Sequence, residues 1–208
     1  MNKAALRTQF KALLNRNDCT TALADTFIDQ AVGRIQRTLR IPTMERAAVV
    51  SFSPALPDSF VLPSDFLQFI DLYHEDANGC GNKLRQIPRS QFLGFPRGQG
   101  TPQVYIRTGA SVQVKGTPAP GSTLSLLYYG ELSDLVNETD TNEVSDIAPE
   151  LIIYAALSFA ADYFVDERKE AFEGVYARTY QELDEQARAL EFSGNDLAVQ
   201  SAYPNAEY

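Results

Sequence analysis

Residues 149–165 read Pro149-Glu-Leu-Ile-Ile-Tyr154-Ala-Ala-Leu-Ser158-Phe159-Ala-Ala-Asp162-Tyr-Phe-Val165, apolar nearly all round a helical wheel. Ser145 or Asp146 can cap such a helix, and Pro149 suits its first turn. A helix without a polar face must be enclosed on every side. The most apolar part of the run, Leu151 to Val165, is about five residues short of the roughly 20 that span a bilayer, and Ser158 and Asp162 interrupt it, so it predicts a buried helix and not a membrane anchor. Two enclosures satisfy it. Either the chain supplies a central core, or neighbouring subunits cover part of the helix, which makes Ile152, Tyr154 and Phe159 the expected subunit interface.

Outward toward the C-terminus, Phe172, Tyr176, Thr179, Leu183, Ala187 and Leu190 recur at steps of three and four, predicting a second helix over about 167–192 that packs antiparallel on the first. Beyond Ser193-Gly194 the pattern stops. The remaining tail carries Leu197, Val199, Tyr203 and Tyr208, with Phe192 at its start, and spaced apolar residues in a polar segment suit either a docking strand or a frayed end. Toward the N-terminus, Leu6, Phe10, Leu13 and Leu14 mark one helix. Leu23, Phe27, Ile28, Ala31, Val32, Ile35 and Leu39 mark another that Pro42 ends, and together these form an α-hairpin.

The middle differs in kind. Eight prolines between Pro54 and Pro120 interleave with short runs rich in Val, Ile, Phe and Tyr, which excludes long helices. Strands are predicted near 47–53, 59–62, 67–75, 83–87, 103–107, 111–115 and 122–129. Asn78-Gly79-Cys80-Gly81, Thr108-Gly109-Ala110 and Pro120-Gly121 supply turns, so antiparallel pairing follows. The fold class is α+β. A helical body built from residues 1–44 and 133–192 carries an inserted β barrel or sandwich at 45–132 and an extended tail at 193–208, with 133–147 as a polar connecting loop.

The 208 residues suffice for a core without disulfides or metals, burying roughly 70% of the unfolded surface. Cys19 and Cys80 stand far apart in no metal or redox pattern and are expected to be buried thiols. No signal peptide is visible from Met1 onward, which predicts synthesis in a cytoplasm. The net charge of -9 is uneven: residues 1–40 hold seven Lys/Arg against three Asp/Glu, residues 131–208 four against eighteen. Such polarity suits a partner that reads the two ends differently, or a simple solvated acidic face.

Chemistry is thinly represented. His74 is the single histidine and is expected to be exposed at a strand end beside Glu75 and Asp76. The run 94–100 is Gly-rich but lacks the Lys-Ser/Thr of a phosphate loop and reads as a surface loop. Arg85, Arg89, Arg97 and Arg107 could touch a nucleic acid backbone without the signature of a specific reader. Asp134, Glu138, Asp140, Glu143 and Asp146 miss the Ca²⁺-loop spacing and read as carboxylates near a helix N-terminus. No catalytic, cofactor or metal site is assigned, and no enzyme class is expected.

Two stretches in order carry a resemblance. Pro102-Gln-Val-Tyr105-Ile106, Val112-Gln-Val114, Pro118-Ala-Pro120 and Leu124-Ser-Leu126-Leu-Tyr128-Tyr129 lead to Leu132 and Leu135. Asn142-Glu-Val144, Ala148-Pro149-Glu150-Leu151-Ile-Ile-Tyr154, Ala160-Ala161-Asp162-Tyr163, Phe172 and Tyr176-Ala-Arg-Thr-Tyr180 follow. Together with Phe60-Val-Leu-Pro63-Ser-Asp65-Phe66, this resembles the head-to-tail adaptor (connector) family of tailed bacteriophages. The resemblance implies a virion protein, assembled in the host cytoplasm, that forms a ring of roughly twelve copies. Its implied partners are itself, the portal, a tail nozzle or tail tube protein, and DNA in transit touched non-specifically. A tail-completion or nozzle component and a nucleic-acid-binding module are the competing readings. The implied portal-docking tail is Phe192, Leu197, Val199, Tyr203 and Tyr208. Glu170, Glu173, Glu182 and Glu185 are the acids expected to line the DNA channel, where like charge keeps DNA from sticking.

Overall fold

A computed structural model describes residues 1–51, 58–76, 79–95, 100–116 and 121–192. The chain divides into two compact units: Met1–Ala5 with Thr43–Ile147, and Leu6–Pro42 with Ala148–Tyr208. The polar loop 133–147 therefore belongs with the strands and not, as expected, with the helices.

α1 (Lys3–Leu14), most of which lies in the helical unit, buries Leu6, Phe10 and Leu14 of its predicted stripe but leaves Leu13 39% exposed, and α2 (Thr21–Thr38) follows its own. Thr20 caps α2, its Oγ1 accepting from the Leu23 amide at 3.2 Å. Ala24, Phe27, Ile28, Ala31 and Ile35 form the buried face of α2. Phe27 meets Phe10 of α1 at a centroid distance of 6.1 Å, and Arg7 of α1 pairs with Asp25 of α2 at 2.5 Å.

The all-apolar run forms α5 (Pro149–Tyr163), packed between α2 and α6 (Lys169–Phe192). Contacts run antiparallel: Lys169 reaches Asp162 at 2.6 Å, while Ser158 bonds Glu173 further along. Tyr176, Thr179, Leu183 and Ala187 are buried along the predicted seam, which opens at Leu190, 52% exposed.

The start of α5 departs from expectation. Ser145 and Asp146 do not cap it; they lie in a separate short helix, α4 (Glu143–Ile147). Asn142 and Ser145 cap α4 reciprocally, the Ser145 amide donating to Asn142 Oδ1 at 2.7 Å and the Asn142 amide to Ser145 Oγ at 2.8 Å. At its far end α5 stops in a Schellman turn, in which the Asp166 amide reaches Ala161 O at 2.8 Å and the Val165 amide reaches Asp162 O. Val165 occupies the left-handed position that glycine usually takes, at φ 52° and 90% exposed. Just beyond, the Arg168 side chain and amide hold the Asp166 carboxyl down at about 2.

The β unit contains β1 (Glu45–Ser51), β2 (Ser59–Val61), β3 (Phe66–Glu75), β4 (Gly81–Lys83), β5 (Arg85–Gln86), β6 (Val104–Thr108), β7 (Ser111–Lys115) and β8 (Thr123–Gly130). They form two four-stranded sheets, ordered β1-β8-β3-β4 and β2-β7-β6-β5, and not a closed barrel. Alternation decides the packing. Phe60, Leu72, Tyr105, Val112, Val114, Leu124, Leu126 and Tyr128 point into one shared core between the sheets. Pairing is antiparallel except between β5 and β6, which run parallel. That exception corrects the expectation of purely antiparallel strands. A short helix, α3 (Arg89–Gly94), lies between Pro88 and Pro96 and buries Phe92 against Val104 and Ile106.

The latch of this unit is Arg46 on β1. Its guanidinium donates to Asp65, to Glu131 O at 2.8 Å and to Glu143 Oε1 at 3.1 Å. Tyr128 donates to Asp65 at 3.1 Å, and Glu143 Oε2 accepts from the Ser133 amide at 3.0 Å. A side chain at Gly130 would clash, since a Cβ there lies 2.6 Å from Arg46. Burial opposes ionisation of Glu143, but the Ser133 bonds, the backbone amide at Glu143 and the charge of Arg46 outweigh it, leaving the carboxyl below its ordinary range.

Two predictions arise. Val165→Gly should stabilise the chain by about 1 kcal/mol, because the β-branched side chain is strained at positive φ and exposed; an unchanged or lower urea midpoint would contradict this. Arg46→Met should cost about 2 kcal/mol, since Asp65 and Glu143 lose their shared cation. Because the folded Glu143 value lies below the unfolded one, its stabilisation is full above the unfolded pKa of 4.5 and is lost as pH falls through the folded value. Urea midpoints measured against pH should thus fall less steeply on the acid side in Arg46→Met than in the parent.

Candidate functional site

The helical unit places each residue expected at a subunit interface. Ile152 is completely buried within the single chain. Tyr154 and Phe159 keep some exposed surface. Tyr154 packs on Phe172 at 6.3 Å between centroids. Phe159 borders an open groove of about 490 Å³ lined also by Thr26, Asp29, Gln30, Gly33 and Arg37.

The four acids expected along the channel are not equivalent. Glu170, Glu182 and Glu185 are exposed on α6. Glu173 instead receives a two-pronged bond from Arg34 of α2, Nη1 to Oε1 and Nη2 to Oε2 at 2.8 Å each, and a bond from Ser158 Oγ. Arg34 first, then Ser158, hold its carboxyl below the usual range against the opposing effect of burial. The same guanidinium lies 4.1 Å above the Tyr176 ring. Glu173 therefore joins α2, α5 and α6, with its charge compensated inside the unit. No local spacing announces this pair, whose members are 139 residues apart.

The tail residues Leu197, Val199, Tyr203 and Tyr208, and the side chain of Phe192, lie outside the described residues. So does Arg97. Of the other arginines near it in sequence, Arg85 and Arg89 are exposed, while Arg107 is engaged locally, donating to Gly109 O at 2.9 Å and stacking 5.1 Å from the centre of the Phe66 ring.

Other candidates resolve into structural parts. His74 is 2% exposed, contrary to the expectation of an exposed imidazole, and burial pushes its pKa down against the pull of Asp76. Cys19 is buried as expected, and burial pushes its thiol up; Cys80 is exposed, which corrects its assignment as a buried thiol. Asp140 accepts the Val136 and Asn137 amides at 3.0 and 2.7 Å, shaping the loop rather than standing free. No cluster of potential metal ligands occurs among the described residues. No helix among them is long and apolar enough to cross a membrane.

Among solved structures, the chain is similar to a component of the neck of an empty GTA particle, computed with C6 symmetry, at 11% identity and a TM-score of 0.26, covering 77% of this chain and 80% of that one. A search of curated proteins finds no match. The family model of the SU10 adaptor protein matches residues 1–200. The chain therefore belongs to the SU10 adaptor protein family, the class of protein that its sequence resembles.

Proposed function

We propose that the chain is a structural head-to-tail adaptor of a tailed phage, forming a ring of roughly twelve copies under the portal, joining the capsid vertex to the tail and passing DNA through its lumen. The observation that carries this reading is the family match over nearly the whole chain. An adaptor needs surfaces and not a reaction centre, so no catalytic step is assigned. Its partners are further copies of itself, the portal on one face and a tail nozzle or tail tube protein on the other.

Two finer elements belong to the proposal. The tail from Phe192 through Leu197, Val199, Tyr203 and Tyr208 docks on the portal, as its spaced apolar residues suit a segment that orders on binding. Glu170, Glu182 and Glu185 face the lumen, where repulsion between their carboxylates and DNA phosphates keeps passage free of sticking. Glu173 contributes less to that field because Arg34 neutralises it. Tyr154 and Phe159 remain proposed parts of the contact between neighbours.

The test is co-sedimentation of the full chain with purified portal rings and, separately, with tail nozzle. Binding to portal is expected, and removal of residues 193–208 should abolish it. Binding to the nozzle alone would transfer the chain to the tail. For the lumen, the combined variant Glu170→Lys, Glu182→Lys and Glu185→Lys should make portal-bound assemblies retain DNA at low salt and release it at high salt. Equal retention by parent and variant would place these acids away from the DNA path.

A further inference from the structure

The sheet β1-β8-β3-β4 ends on one side in an edge strand of seven residues, and its hydrogen-bonding sense can be worked out. The Leu84 amide donates to Leu72 O at 2.8 Å and the Asp76 amide to Cys80 O at 3.1 Å, so even-numbered residues of β3 point their backbone groups toward β4. Odd-numbered ones then point toward β8, where Tyr73 stands opposite Ser125 and Asp71 opposite Leu127. Backbone direction alternates along a strand, so Leu124, Leu126 and Tyr128 of β8 face β1 and meet Val50, Ala48 and Arg46. This leaves the Glu45 carbonyl and the amides and carbonyls of Ala47, Val49 and Ser51 directed away from the sheet, with no backbone partner among the described residues, while the Glu45 amide closes the 3₁₀ turn Pro42–Met44. By the same count Gly81 and Lys83 carry the outward groups of β4 at the opposite edge.

Exposed edges are normally protected by Lys, Pro, a bulge or shortness. The β1 edge has no Lys, Pro or bulge, and its charged residues, Glu45 and Arg46, are confined to its first two positions. Its seven pairs with β8 run without a register shift, its outward residues are Glu, Ala, Val and Ser, and Val49 is 67% exposed.

We propose that the edge of β1 is completed by β4 of a second copy of this chain, joining the sheets of neighbouring copies head to tail. Three features select that occupant. Every pairing within this sheet is antiparallel, so β4 runs opposite to β1 and a neighbour's β4 continues the alternation. Setting Glu45 opposite Lys83 and Ala47 opposite Gly81 of the neighbour brings together the residues whose backbone groups point outward on each strand. The same setting puts Glu45 and Lys83 on one face of the joined sheet, the face that bears Tyr129 and Tyr73, so opposite charges meet across the joint. Lys83, 61% exposed at its side chain and paired with Asp71, then bridges two carboxylates. A joint between two different edges is heterologous and propagates into a ring or a filament. This rests on the ring-forming reading above and names its contact.

The test uses the full chain with Cys80→Ser. A hydrogen-bonded antiparallel pair holds its Cα atoms about 5.5 Å apart, within disulfide reach, whereas positions 45 and 83 of one chain are separated by three strand spacings of about 4.8 Å. Glu45→Cys combined with Lys83→Cys should therefore yield, on oxidation, a ladder of dimers, trimers and longer species, absent from either single variant. In parallel, Ala47→Pro removes one outward amide at an edge position that tolerates proline. It should leave the thermal midpoint within a few degrees and weaken self-association at least tenfold. Products that stop at dimers, single variants that link as readily, or an Ala47→Pro chain that associates like the parent would overturn the joint. Portal binding by a chain that never self-associates would also overturn it, and would leave the adaptor reading standing.

Discussion

A fifteen-residue helix that includes Leu151, Ile152, Ile153, Ala155, Ala156, Leu157, Ala160 and Ala161 has no face to offer water, and the helical unit is arranged around that constraint. At roughly 25 cal/mol per Å² of apolar surface, exposing such a helix costs more than any polar pair in the chain returns. Two amphipathic helices from opposite ends of the sequence, α2 and α6, flank it. Arg34 and Glu173 tie those two flanking helices directly, and Ser158 on α5 adds its hydroxyl to the same carboxylate. Enclosure is thus completed largely within one chain. What remains exposed along α5 is limited to residues such as Phe159 and Tyr163, which are surface features and not an unfilled core.

Much of this architecture is legible in the order of residues, and the reasons are physical. β7 falls at the predicted residues 111–115 because Val112 and Val114 alternate with Ser111, Gln113 and Lys115 between firm turns. α2 and α6 are long enough for periodicity to accumulate, while α5 is marked by its lack of a polar face. Helices of five or six residues carry no such signal: α4 depends on the reciprocal bond between Asn142 and Ser145, and α3 on the burial of Phe92. The acidic neighbours of His74 suggest exposure, but it shares the inward phase of Leu72, two residues earlier, and is buried. The parallel pairing of β5 could not be read either, since two residues have no pattern of their own.

The candidate surfaces were legible only in part. Composition showed an acidic C-terminal third, but not that Arg34 withdraws Glu173 from it while Glu170, Glu182 and Glu185 stay exposed. Arg46 and Glu143 are 97 residues apart, and nothing in local spacing links them. The unprotected edge of β1 is a property of sheet order and hydrogen-bond phase, so it emerges only when eight strands are placed together. For the proposed adaptor role, such surface features matter more than a cleft.

Membership of the SU10 adaptor protein family is the frame in which the proposed self-association and attachment to portal and tail are to be tested. The most direct measurement is cryo-electron microscopy of the full chain bound to portal rings. The account predicts a closed ring seated on the portal, its lumen wide enough for duplex DNA and bordered by α6. A chain attached as isolated copies, or a ring without an open lumen, would contradict it.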